Sequence, residues 1–253
     1  MLDGVALPKV RPHPIKEVAN TQSYPRTVDL HTFKVRFSAL RDEGFVKSRR
    51  RGDTGVGHTL EKHLGILENN ISLPDLTTAE LKAKRENASS RITLLTRDRK
   101  AWQLKQRHAI EKFGVSDDEG RPGLYYTLSA TTKTRGFSVV NSRTEISVEH
   151  RSGSVLATWR HDVLADAFKK KFPALLLVTA KSEIRQDGEW FHYNSAKLLS
   201  GASANRFYSC IAAGHISIDL RLHLEGRKVR NHGTAFRIPE VKLPNLFTSS
   251  RAI

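Results

Sequence analysis

The sequence predicts a mixed α+β fold made of one continuous domain. Apolar residues recur at helical spacing in the first half of the chain, and apolar and polar residues alternate in the second half. No internal repeat or Gly/Ser-rich linker separates the two halves. The 253 residues, 38% of them hydrophobic, are enough to bury a core. We expect an irregular arm over residues 1–26, where four prolines fall, and a single domain over residues 27–253.

Spacing predicts two helices at the start of the domain. The first begins behind the candidate N-cap Asp29. Its apolar positions are Leu30, Phe33, Phe37 and Leu40. The second runs from Gly57 or Thr59 to the turn-forming pair Asn69 and Asn70. Its apolar stripe is Leu60, Leu64 and Leu67.

Residues 79–84 suit a strand in length and setting, although propensity alone does not decide between strand and helix. Helices are predicted at 99–113 and 162–171. Runs of β-forming residues predict further strands at 125–128, 137–140, 145–149, 154–159 and 174–184, while 194–200 fits either state. The clearest strand is 216–224, whose polar face would present an acid, a base and an imidazole in a row.

The excess of positive charge favours a nucleic-acid partner, and the cysteine count and the apolar runs exclude some classes of protein. The chain carries 42 Lys and Arg against 26 Asp and Glu, a net +16. Most of the excess lies in residues 34–53, 91–112 and 221–251, a distribution that favours strips meeting around a phosphate backbone over three merely solvated faces. A single cysteine, Cys210, excludes a disulfide framework, and no apolar run is long enough for a membrane span, so we expect a cytoplasmic protein.

Residues 52–59 resemble a phosphate-binding loop without fulfilling its pattern. His58 stands where that pattern needs a lysine, and the preceding residues are basic instead of forming an apolar strand. The segment is better interpreted as a basic loop that leads into a helix and touches a backbone phosphate.

The strongest candidate for catalysis spans residues 74–82. If residues 79–84 form a strand, Glu80 and Lys82 share one face and Asp75 reaches them from the preceding loop. Two carboxylates and the carbonyl of Leu81 would suit Mg²⁺, and Lys82 could orient or help deprotonate an attacking water. Glu61, on the upstream helix, is a candidate third acid. Each element also has a plainer interpretation: Glu80 and Lys82 would be an ordinary pair on a surface strand, and Glu61 an exposed residue of a helix.

A second constellation suits contact with bases. Arg230, His232 and Arg237 follow the strand that carries Asp219 and Arg221. Arginine donates two hydrogen bonds to guanine, and histidine can read a purine edge. Asp219 can accept from a cytosine amino group or hold Arg221 in its fork geometry. The competing interpretation is a basic hairpin that binds phosphates without sequence preference.

Together these segments resemble the MvaI/BcnI restriction endonucleases, relatives of the mismatch-repair nickase MutH. The resemblance rests on residues 57–69 (GHTLEKHLGILEN), 74–75 (PD), 79–82 (AELK) and 230–237 (RNHGTAFR). These occur in order, and the match covers most of the chain. The joint occurrence is far more specific than any single motif.

The resemblance implies a PD-(D/E)xK nuclease core, with a mixed sheet flanked by helices and a β-rich recognition lobe across a DNA cleft. The catalytic lobe would span about 27–123 with parts of the central region, and the recognition lobe mainly 205–253. Asp75 and Glu80 would be metal ligands, Lys82 the catalytic lysine and Glu61 the extra acid of the helix. The residues expected to read G·C pairs are Asp219, Arg221, His232 and Arg237, whereas Arg230 stands where a close relative would have a histidine.

The implied function is that of a type II restriction endonuclease. It would be a monomer that cuts the two strands of a CC-N-GG site in turn, with Mg²⁺ or Mn²⁺, and a cognate DNA methyltransferase would be its genetic partner. A MutH-like strand nickase and a non-catalytic DNA-binding protein are the alternatives. The intact Asp75, Glu80 and Lys82 argue against the latter.

Overall fold

The computed structural model describes residues 28–66, 75, 76, 78–87, 91–98 and 100–253. Within these residues the predicted α+β class is confirmed, because helices pack with sheets that are largely antiparallel, one of which is mixed through the parallel pairing of β2 with β9. The predicted arm over 1–26 lies outside the described residues, as do Leu67, Asn69, Asn70 and Pro74. In the described part of the chain, no helix is long and apolar enough to cross a membrane.

The helices are α1 (Leu30–Glu43), α2 (Gly55–Leu64), α3 (Gln106–Phe113), α4 (His161–Lys171), α5 (Ala204–Ala212) and a 3-10 helix (Glu240–Leu246). The prediction for α1 is confirmed, since the Asp29 side chain accepts a hydrogen bond from the Thr32 backbone N–H at 2.7 Å. The predicted stripe of α1 is buried at Phe33, Phe37 and Leu40.

Two helix predictions need correction. α2 ends at Leu64, before the predicted Asn69–Asn70 pair, because Gly65 adopts a left-handed conformation with φ +68° and caps the helix. α3 begins at Gln106 and not near residue 99. Ahead of it, Trp102 forms a β-bridge with Ala157, a tertiary contact that overrides the helical spacing. α5 was not predicted.

The strands are β1 (Phe45–Lys47), β2 (Glu80–Arg85), β3 (Arg91–Thr96), β4 (Val115–Ser116), β5 (Pro122–Leu128), β6 (Phe137–Asn141), β7 (Glu145–His150), β8 (Val155–Arg160), β9 (Ala174–Arg185), β10 (Gly188–Ser200), β11 (Ser217–Glu225), β12 (Lys228–Asn231), β13 (Ala235–Pro239) and β14 (Ser249–Ala252). Every predicted strand is confirmed, and residues 194–200 belong to a strand. β1, β3, β4, β12, β13, β14 and the first half of β10 were not predicted.

Among the described residues, the strands form three sheets. A five-stranded sheet has the order β1-β10-β9-β2, with β14 also paired to β10. β2 runs parallel to β9 and stands at the end of this order, so its outer edge is open in the described part of the chain. α1 and α2 cover one face of the sheet, where their apolar residues pack with those of β9 and β10.

A six-stranded sheet has the order β3-β13-β11-β5-β4, with β12 also paired to β11. Strands β6, β7 and β8 form the third sheet. Both contribute to a second core, together with α3, α4 and α5. The predicted polar face of β11 is itself covered, because Asp219 and His223 are only 4% and 5% exposed.

The β9–β10 hairpin belongs to both cores. Leu176 and Val178 face α1 and α2, whereas Leu175 and Leu177 face the second core. Side chains alternate across a strand, so one apolar run supplies both sides. Glu80 pairs with Leu175 and therefore lies on the face directed toward the second core.

Candidate active site and nucleic-acid interface

Strand β2 brings Glu80 and Lys82 together, as their spacing predicts. Both project from one face of the strand, and Lys82 Nζ lies 2.6 Å from Glu80 Oε1. Glu80 is 2% exposed, whereas the Lys82 side chain is 30% exposed. The lysine therefore keeps access to solvent while the carboxylate is buried beneath it.

Asp75 reaches this pair across the open edge of β2. A turn in which Leu76 N–H donates to the Ala79 carbonyl directs the chain back, and Asp75 Oδ2 accepts a hydrogen bond from Leu81 N–H at 3.1 Å. The N–H and C=O of one strand residue point to the same edge. The Leu81 carbonyl therefore faces the edge at which the Asp75 carboxylate lies.

Burial raises the pKa of Glu80 above its ordinary value, and the nearby Asp75 carboxylate acts in the same direction. Lys82 and Lys171 oppose the shift by favouring the ionised form. Lys171 Nζ lies 3.5 Å from Glu80 Oε1, at the end of α4. Sequence reasoning missed Lys171, because only the tertiary fold brings this helix terminus to β2.

The donor set fits a hard divalent cation. Glu80 Oε2 is buried without a hydrogen-bond partner among the described residues, although Oε1 contacts two lysines. A buried carboxylate oxygen in that state is costly unless it receives a proton, a donor or a metal. Together with the Asp75 carboxylate and the Leu81 carbonyl it offers the oxygen ligands that Mg²⁺ prefers.

Glu61, the candidate third acid, lies on α2, which packs against the other face of the sheet. In the described part of the chain, no three His, Cys, Asp or Glu side chains form a cluster that could hold a metal ion. The described contacts therefore bring together Asp75, Glu80, Leu81 and Lys82.

Asp219 and Arg237 form a partly buried ion pair on the six-stranded sheet. Arg237 Nη1 lies 2.8 Å from Asp219 Oδ2, and Arg237 Nη2 donates to the Arg91 carbonyl at 3.0 Å. Asp219 Oδ1 also accepts from Ser217 Oγ at 3.2 Å. Of the two roles suggested for Asp219, that of holding Arg221 is wrong. The β11–β13 register sets Arg237 opposite Ser217, and Ser217 and Asp219 share one face of β11, so Arg237 becomes the partner of Asp219.

Arg221 instead braces the turn between β12 and β13. Its guanidinium donates to the carbonyls of His232 and Gly233, at 3.0 and 3.2 Å. His232 is exposed and stacks on the buried His223 ring at 5.7 Å, and His223 Nδ1 lies 2.6 Å from the Tyr125 hydroxyl. The stacked His223 ring therefore supports the exposed His232 imidazole on one side.

Arg230 stands apart from this group. It lies opposite His223 on β12, is exposed, and forms an ion pair with Glu225 that lowers the pKa of that carboxyl. The structure therefore brings Asp219 together with Arg237, and Arg221 with His232, but it places Arg230 toward the hairpin tip.

Sequence reasoning also missed Asp98, which anchors the His232 turn. Its Oδ1 accepts from Trp102 Nε1 at 2.7 Å and Thr234 Oγ1 at 3.0 Å. Its Oδ2 accepts from Asn231 Nδ2 at 2.7 Å and Gln106 Nε2 at 3.1 Å. The available signal was an acid placed directly between Arg97 and Arg99 in the sequence.

The profile of the MvaI/BcnI restriction endonuclease family matches residues 35–247. Among solved structures, the complex of restriction endonuclease MvaI with a cognate DNA substrate is 24% identical to the chain, with a TM-score of 0.75 over 89% of this chain and 99% of that one. MvaI in the absence of DNA is 26% identical, with a TM-score of 0.51 over 88% and 97%. No curated protein matches the sequence. The fold is that of the PD-(D/E)xK nucleases.

Proposed function

This chain belongs to the MvaI/BcnI restriction endonuclease family, and we propose that it is a type II enzyme that hydrolyses double-stranded DNA at a CC-N-GG site with Mg²⁺. The observation that carries the proposal is the convergence of Asp75, Glu80 and Lys82 at the open edge of β2. Two acids and one lysine lie beside a strand edge that no other described strand covers, and these are groups that metal-dependent hydrolysis of a phosphodiester uses. The buried, partnerless Glu80 Oε2 supports a cation there.

A divalent cation bound at this point would polarise a phosphoryl oxygen and lower the pKa of a water molecule. Asp75, Glu80 and the Leu81 carbonyl are the proposed ligands, and Mn²⁺ is the proposed substitute for Mg²⁺. Lys82 is partly exposed above Glu80, where its ammonium can orient the attacking water and offset negative charge in the transition state. Glu61 is proposed to act from outside this ligand group.

Base reading is assigned to the six-stranded sheet. Arg237 and Arg221 are held in fixed orientations by Asp219 and by the His232 turn, which favours bidentate donation to guanine. His232 is proposed to contact a purine edge, and Arg230 to contact the outer part of the duplex. A catalytic lobe would follow the five-stranded sheet and a recognition lobe the six-stranded sheet.

We further propose that the enzyme acts as a monomer in the cytoplasm, cutting one strand and then the other. A site with a central base pair has no perfect two-fold symmetry, which suits a monomer better than a symmetric dimer. A cognate methyltransferase would protect the host DNA.

Digestion of a plasmid with purified protein and Mg²⁺ tests the proposal. We expect discrete fragments, and sequencing of their ends would identify the site and the cut position. Accumulation of nicked circles without linear DNA would replace the proposal with a MutH-like nickase. Smearing or complete absence of cleavage would refute it.

Two variants test the assigned site. Asp75→Ala and Lys82→Ala should abolish cleavage while target binding in Ca²⁺ is retained, because each removes a group that acts on the phosphodiester and not on the bases. The matched controls, Asp118→Ala and Lys181→Ala, alter exposed side chains without a described ionic partner and should cut normally. Cleavage by either test variant would mean that the catalytic residues lie elsewhere.

A further inference from the structure

A pocket of about 390 Å³ lies between α2 and the loop that precedes it. The described residues that line it are Arg49, His58, Lys62 and His63. Each of these side chains carries nitrogen, and no carboxylate stands among the described lining residues. His58 and Lys62 are four residues apart on α2 and therefore lie on the same helix face.

The pocket wall is held in place by buried polar contacts. Arg49 backbone N–H donates to Thr59 Oγ1 at 2.9 Å, and Thr59 is fully buried. The Tyr193 hydroxyl donates to the Val56 carbonyl at 2.7 Å and ties α2 to the five-stranded sheet. Arg85 donates to the Gly52 and Asp53 carbonyls of the loop at 3.1 and 3.2 Å. The loop and helix therefore present their cations from a preset geometry.

Two of the cations that line the pocket, Arg49 and Lys62, have no ionic partner among the described residues. The side chains of Arg49 and Lys62 form no ion pair or hydrogen bond with any described residue, and His63 Nε2 is buried without a partner there. Nearby cations differ, because Lys47 pairs with Asp187 at 3.0 Å and Arg85 with Glu189 at 2.6 Å. Two cations that no described carboxylate pairs with, and that share a pocket with imidazoles, suit the binding of an anion.

We propose that this pocket binds a backbone phosphate of the DNA duplex, an inference that rests on the proposed DNA-cleaving function. A phosphate offers several oxygen acceptors to an arginine fork and a lysine at once. α2 carries the pocket and packs beside β2, the strand of the candidate active site. The bound phosphate would fix the position of the duplex relative to the catalytic residues, independently of sequence.

Salt dependence of binding tests the proposal. The DNA is a fluorescein-labelled duplex of about 30 base pairs of mixed sequence, titrated in EDTA at several salt concentrations, and log K is plotted against log salt. We expect Lys62→Gln and Arg49→Gln each to reduce the magnitude of the slope by about 1 and to weaken binding equally on all sequences. The matched control Lys133→Gln removes an exposed lysine far along the chain and should keep the wild-type slope.

Wild-type slopes in both pocket variants would overturn the proposal, as would a loss confined to duplexes that contain CC-N-GG, since that would indicate base contacts. Both substituted side chains are exposed, and thermal melting checks that the variants fold. If the wild type gives discrete plasmid fragments while the variants bind normally, the pocket assignment fails and the proposed function stands. If the wild type neither cuts nor binds the duplex, both fail.

Discussion

Replacing Asp98 with Asn tests whether a partly buried carboxylate orients the turn that is proposed to read bases. The Asp98 carboxylate accepts four hydrogen bonds, two at each oxygen. An asparagine amide has one oxygen and one NH₂ group. In either orientation its NH₂ faces two donors, so two of the four hydrogen bonds are lost without any change in side-chain volume.

The magnitude follows from the two lost bonds. A hydrogen bond to a charged group contributes about 1.5–3 kcal/mol, and partial exposure of Asp98 lets water replace some of this. We therefore expect the free energy of unfolding to fall by about 3 kcal/mol, with a fall in Tm of about 6–12 °C for a chain of this length. The turn that carries His232 would loosen, so binding to the target should weaken more than binding to other DNA.

Thermal melting and binding titrations in Ca²⁺ measure both effects. Asp118→Asn is the matched control, because Asp118 is exposed and without a described partner. An unchanged Tm in Asp98→Asn would refute the hydrogen-bond assignment. A lowered Tm with unchanged preference for the target would show that Asp98 stabilises the fold without orienting the turn.

Three further predictions concern the two sheets. Glu80→Gln should abolish cleavage. In EDTA, the stability of the wild type relative to this variant should also fall as pH rises, because a carboxyl whose pKa is raised in the folded state stabilises the fold only while it is protonated. Thermal melting of both proteins from pH 4 to 8 measures this difference. Arg237→Ala should weaken target binding by about 1–3 kcal/mol with little change on other DNA, whereas an equal loss on all sequences would make it a phosphate contact. Lys84 and Glu240 form a half-buried ion pair that joins β2 to the segment after β13. Replacing either Lys84 or Glu240 with a neutral residue should slow cleavage. A double-mutant cycle on the free energy of unfolding should give a coupling of about 1 kcal/mol between the two side chains, and strictly additive effects would contradict the ion pair.

Local pattern was sufficient to predict the elements whose faces differ in polarity. α1 shows its apolar stripe at every turn, and the length and setting of residues 79–84 favour a strand on which Glu80 and Lys82 share one face. The buried run of β9 was recognised as a strand from its length and composition. These features depend only on neighbouring residues.

The missed features depend on contacts between distant segments. Lys171 lies 91 positions after Glu80 in the chain, and Asn231 lies 133 positions after Asp98. Trp102 does not belong to the predicted helix, because its indole N–H donates a hydrogen bond to Asp98 and its backbone forms a β-bridge with Ala157. The partner of Asp219 was misassigned because the register between β11 and β13 is set by the whole sheet.

The path of the chain limits how the specificity of this enzyme can change. Among the described residues, the chain leaves the five-stranded sheet after β2, returns at β9, leaves again for β11 and returns once more at β14. The β9–β10 hairpin also fills both cores with alternate side chains. No single contiguous segment can therefore be exchanged with a relative as a recognition module. We expect new target preferences to arise by point substitutions on β11, β13 and the His232 turn, and chimaeras joined at one crossover to fail to fold.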